Sequence, residues 1–141
     1  MADERPRAYA LNADEGWTYR AGIDFMVKAR ERRPGPGFAC LVYTTRAGEE
    51  PEDHTHDTED EVFYVIEGEI SFRCGDQTFD LEDGGFIFLP RGVQHGYKIR
   101  SERHVDLLVI TAPPRNDAVV GGWGGFIGDL EQGEPQGSPP E

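Results

Sequence analysis

Only two cysteines, Cys40 and Cys74, occur among 141 residues, too few for a disulfide framework and without C-x-x-C spacing. Both are expected to be reduced thiols filling β-strands. No stretch approaches the ~20 apolar residues of a membrane span, and the first residues, MADERPRAYALNADEGW, hold no apolar run of the signal-peptide kind. The expectation is a cytoplasmic protein with no membrane partner. Basic residues are scarce as well: 14 Lys and Arg stand against 27 Asp and Glu, a net charge of -13. Such a field repels phosphate backbones, and no basic stripe overrides it locally, so nucleic acid is excluded as an expected partner. Apolar residues at the spacing of a long amphipathic helix are also missing, which argues against a helical bundle.

Glycine and proline are plentiful, 18 and 10 residues. They punctuate short apolar stretches: WTYRAGIDFMVKA, GFACLVYTT, VFYVIEGEISFRC, QTFDL, GFIFLP, HGYKIR and HVDLLVIT. Breaks such as RPGPG, AGEEPED, CGDQ and LEDGG separate them. Short strands at this even spacing predict an all-β sandwich or barrel. VFYVI and DLLVIT, β-branched or aromatic nearly throughout, are expected to be buried on both faces. One domain is predicted over 17–127, flanked by a flexible segment over 1–16 and a disordered tail over 128–141 that is rich in proline and glycine. Within RNDAVVGGWGGFIGDL, five glycines limit any helix, and a turn or loop is expected to set Trp123 and Phe126 against the barrel.

The densest chemistry lies in HTHDTEDEVFYVIEGE, residues 54–69, which holds two of the four histidines and six carboxylates. Alternation along a strand points His54 and His56 the same way, about 6.6 to 7 Å apart at ~3.3 Å per residue, so both imidazoles can converge on one ion. Glu61 opens the following apolar strand. If it points inward, so do Phe63 and Val65, while Val62, Tyr64 and Ile66 face outward. Asp57, Glu59 and Asp60 read as a solvated turn. A third imidazole is expected from another strand, and GGFIFLPRGVQHGY supplies His95 just after the PRG turn, on the same face as Tyr97 and Ile99. Pro90 marks a strand end near the barrel mouth. His104, after the charged turn RSER, reads as a surface or strand-edge histidine. Taken alone, the acidic run would be a solvated loop before a buried strand; His95 in its own turn context favours the ion.

Gly48, His54, His56, Glu61 and Gly68 match G-x5-H-x-H-x(3,4)-E-x6-G, and Gly84, Pro90, Gly92 and His95 match G-x5-P-x-G-x2-H-x3-N except at the last position, which is Ile99. On these motifs the chain resembles a small single-domain cupin of the quercetin-dioxygenase-like group. The resemblance implies a jelly-roll (double-stranded β-helix) barrel holding one divalent transition metal on His54, His56, Glu61 and His95. Such an N3O set suits Fe, Ni, Mn, Co, Zn or Cu. It also implies oxygen-dependent C–C cleavage of a small aromatic, flavonol-like or β-diketone substrate, with Glu61 as both weak ligand and general base. An apolar wall of Phe63, Val65, Phe88, Tyr97 and Trp123 would hold that substrate. Two other readings stand beside it: a redox-neutral cupin (polyketide cyclase, isomerase or decarboxylase), and a non-enzymatic metal-dependent binding domain. WTYRAGIDFMV, as an exposed N-terminal edge, would favour a homodimer.

Overall fold

Side chains two apart along each apolar stretch share a face, so pairing register decides which row becomes core. The computed structural model describes residues 7–30, 37–112 and 131–139. They form ten strands: β1 (Gly16–Arg20), β2 (Asp24–Ala29), β3 (Ala39–Thr45), β4 (Asp60–Glu67), β5 (Ile70–Cys74), β6 (Gln77–Leu81), β7 (Phe86–Leu89), β8 (His95–Ile99), β9 (Val105–Ala112) and β10 (Glu131–Gln136). No helix occurs among the described residues. A seven-stranded antiparallel sheet runs β10-β1-β2-β3-β9-β4-β7, and a three-stranded sheet runs β6-β5-β8. Two such sheets closing on one core make the expected all-β jelly roll.

The inner row is continuous across each sheet. Phe25 pairs with Tyr43, Tyr43 with Leu107, and Leu107 with Val65; one step along, Leu41, Val109, Phe63 and Ile87 are neighbours. From the smaller sheet, Ile70 pairs with Ile99 and Phe72 with Tyr97. All are buried, and Phe72 packs on Phe63 with ring centroids 5.1 Å apart. Each such side chain contributes roughly 1.5–3 kcal/mol by leaving water. Cys40 and Cys74 are free thiols, and burial pushes the Cys40 thiol up to about 11.

Several expectations change. β4 and β9 are buried on one face only: Tyr64 and Ile66 are exposed, while Leu108 and Ile110 are half-buried. Phe88 pairs with Val62 on the outer row and is 52% exposed, so it is no part of an inner wall; Ile87 and Leu89 point inward instead, opposite Phe63 and Glu61. WTYRAGIDFMVKA is a hairpin, β1 and β2, turning at 21–23. β1 is also no free edge. Residues 131–136, expected within a disordered tail, pair along it, with Pro135 opposite Trp17. Proline is tolerated there because β10 is itself an edge strand and need not donate from that position. The edge that favoured a homodimer is thereby occupied. At the other end of the chain, residues 7–15 lack regular structure but are tied down by Lys28, whose Nζ donates to the carbonyls of Asn12 and Ala13 at 2.8 and 2.9 Å. Trp123 and Phe126 lie outside the described residues.

Candidate metal centre

His54 and His56 do not sit on a full strand. They lie on an extended segment fastened at two points. His54 and His95 exchange both backbone N–H···O bonds at 2.9 Å, and the carbonyl of His56 accepts from Gly92 N–H at 2.8 Å. Gly92 turns the PRG loop at a φ of 80°, a left-handed conformation that favours glycine. Arg91, beside it, donates from its backbone N–H to Asp60 Oδ1 at 3.0 Å and pairs with Oδ2 at 3.2 Å, tying the loop to the start of β4. At the other end, Arg73 of β5 holds Asp53 through Nη2 at 2.5 Å. A Cβ on Gly96 would fall on that same Asp53 carboxylate, so a side chain between His95 and Tyr97 would push Asp53 and Arg73 from their present positions. These guanidinium partners hold the Asp53 and Asp60 carboxyls below their ordinary range.

So placed, His54, His56, Glu61 and His95 each offer one ligand atom, all within 4.8 Å of one another. His56 Nε2 lies 3.4 Å from Glu61 Oε2, and His95 Nε2 lies 3.4 Å from Glu61 Oε1. Those separations exceed the ~2.7–2.9 Å of a charge-assisted hydrogen bond. They suit neighbouring ligands on one ion, which sit about 3 Å apart when each bond is ~2.1 Å. Buried polar atoms ordinarily have partners, yet His56 Nε2 and His95 Nε2 have none. His54 Nδ1 faces the Glu52 carbonyl at 2.8 Å; as donor it fixes the tautomer that leaves Nε2 free to ligate. The donor set thus fits a divalent transition ion. Burial holds the His56 imidazole below its ordinary pKa, with the Glu61 and Glu59 carboxylates pulling the other way. Neutral imidazole is the form that ligates.

Above the cluster lies a hollow lined by Tyr43, Pro51, His54, Glu61, Phe63, His95, Tyr97 and Val109. It measures about 330 Å3 with its open mouth, at the small end of ligand pockets. Of the wall expected from sequence, Phe63 and Tyr97 line this hollow. Val65 is fully buried one step deeper in the core, Phe88 faces out, and Trp123 lies outside the described residues. Ile99, at the departing motif position, is core opposite Ile70.

Tyr43 and Val109 were missed, although both follow from alternation once β3 and β9 are anchored by register. Glu59 is the larger surprise: expected in a solvated turn beside the exposed Asp57, it is only 2% exposed. Its signal is parity: Glu59 lies two residues before Glu61, so alternation extended back from β4 puts it on the same inner row as Glu61, Phe63 and Val65. His104 is half-buried on the β8–β9 loop, 3.7 Å from Asp106, and groups with Glu67 and Asp106, a set apart from the first.

The family described as cupin domain matches residues 41–111. An uncharacterized protein of Streptomyces coelicolor is 29% identical over 109 residues, which cover 76% of this chain and 98% of that one. Quercetin 2,3-dioxygenase of Bacillus subtilis is 27% identical over 95 residues, 66% of this chain but 28% of that enzyme. Among solved structures, KdgF from Halomonas sp. superposes with a TM-score of 0.64 at 19% identity, over 80% of this chain and 99% of that one, a likeness of fold. With the matched segment spanning half the chain and containing every residue of the cluster, this chain belongs to the cupin family.

Proposed function

We propose that this cupin is a metal-dependent dioxygenase acting on a compact enolisable substrate, a β-diketone or hydroxyketone in preference to a three-ring flavonol. The observation that carries the reading is the buried set His54, His56, Glu61 and His95, with unpartnered ring nitrogens, at the floor of a small, mainly apolar hollow. A divalent ion held by these four would supply Lewis acidity at a bound oxygen and, if redox-active, access to O2. Glu61, with Oε1 and Oε2 aimed between two imidazoles, is the base that takes the enol or hydroxyl proton of the substrate. Phe63 and Val109 give the hollow apolar walls and keep water from the reacting carbon. The likeness to quercetin 2,3-dioxygenase supports oxygen chemistry, and the volume of the hollow favours the smaller substrates.

The test is oxygen uptake by Fe(II)- or Ni(II)-loaded protein against β-diketones, hydroxyketones and flavonols. Uptake matched to loss of a compact dione or hydroxyketone is expected. Glu61→Gln should keep most of the metal and lose roughly 100-fold or more in kcat; undiminished turnover removes the base role. Conversion without uptake would identify a redox-neutral enzyme. A compound that raises thermal stability and is recovered unchanged would identify a binding domain.

A further inference from the structure

Tyr43 of β3 and Tyr97 of β8 come from opposite sheets and meet hydroxyl to hydroxyl at 2.9 Å, inside the hollow that also holds Glu61, His54 and His95. Their rings are clamped. Tyr43 packs on Phe25 with centroids 4.7 Å apart, and Tyr97 sits against Phe63 and Phe72 at 5.9 and 5.6 Å. Phenylalanine would fill both ring positions equally well, so packing alone does not account for two buried hydroxyls, which cost free energy to desolvate. A pair of hydroxyls has two protons but uses one between its own oxygens. Whichever tyrosine donates to the other, one O–H remains, and no further hydrogen bond is formed by either hydroxyl among the described residues. The unspent donor therefore sits beside the place where a ligand oxygen would lie.

We propose that the Tyr43–Tyr97 pair is a substrate-binding donor: it gives its free O–H to the second oxygen of a compact two-oxygen ligand, an enolised β-diketone or hydroxyketone, whose first oxygen faces the His54, Glu61 and His95 ligands. The inference rests on the metal reading of the preceding section and adds to it the group that selects a substrate with two adjacent oxygen functions. One tyrosine backs the other. The inner hydroxyl holds the outer one in orientation, and the clamped rings remove the rotational freedom that a surface tyrosine would lose on binding.

The probe is pentane-2,4-dione added to Co(II)-loaded protein, followed by the visible absorption of the cobalt. In the parent, the dione should shift the spectrum saturably. Tyr43→Phe/Tyr97→Phe should raise its Kd about tenfold and Tyr97→Phe alone at least threefold, with Co(II) stoichiometry, affinity and dione-free spectrum unchanged. Parental dione affinity in the double variant overturns the proposal. So does a loss matched by an equal loss of Co(II) affinity, or a parent spectrum that the dione leaves unaltered. Should the double variant fail to fold, Tyr43→Phe and Tyr97→Phe decide as a pair: an unchanged Kd in both overturns the proposal and a raised one in either supports it. Absence of stoichiometric Co(II) binding in the parent would instead overturn the metal reading beneath it.

Discussion

His56 carries the acid sensitivity of the site. Burial keeps its imidazole below the ordinary pKa, so the folded state resists a proton that the unfolded chain accepts at about 6.5. Stability from this group is full above about pH 6.5 and drains as pH falls below it. Asp53 and Asp60, held low by Arg73 and Arg91, lose their contribution only as pH falls below their ordinary value of 3.8. Two windows should therefore separate in a thermal-unfolding series on metal-free protein: a decline in Tm from pH 7 to 5, flattened in His56→Gln, and a second below pH 4 that His56→Gln retains. At this scale the grouping of His54, His56, Glu61 and His95 was legible in the sequence because the two motifs that carry them fix their spacing and their strand-end positions. Glu59 and Phe88 were not. The first precedes β4 on the parity of Glu61 but stands among charges that read as a solvated turn, and the second is on a four-residue strand whose parity is set only by its neighbour.

Turns, more than strands, decide whether the elements arrive in register. Gly68 joins β4 to β5 at a φ of 116°, its N–H donating to Asp83 Oδ1 at 2.7 Å, and a Cβ there would meet the His104 carbonyl and Val105 Cα at 2.9 Å. Backbone cannot yield as a side chain can. Gly68→Ala should cost about 1–3 kcal/mol, read as a lower denaturation midpoint, while Co(II) stoichiometry stays at the parental value because the ligands lie at the other end of β4. Apolar runs bounded by Gly, Pro and Asp revealed β3 to β9, since both alternation and turn chemistry are written in side chains. β10 was invisible for the converse reason. An edge strand pairs through backbone groups that every residue but proline possesses, and its composition resembles that of a tail.

Across the whole molecule, Glu61 belongs to the seven-stranded sheet, His95 to the three-stranded one, and His54 and His56 to the segment that links them. An ion bound by all four clasps the two sheets at one end of the barrel. Metal at a hundredfold excess over its Kd stabilises the native state by about 2.7 kcal/mol. For a domain of this size that is a rise in Tm on the order of 10 °C. His95→Ala should show little of this rise, and its midpoint should be nearly independent of added Co(II) in a melting titration.

The reciprocal backbone bonds between His54 and His95 have one more effect. Because the backbones of two of the four donors are fastened to each other, part of the cage is set by main chain before any cation enters. Which element a purified sample carries will follow the relative abundance and intrinsic nitrogen affinity of the ions it has met, so identity of the native ion is a property of the cell's supply as much as of the polypeptide.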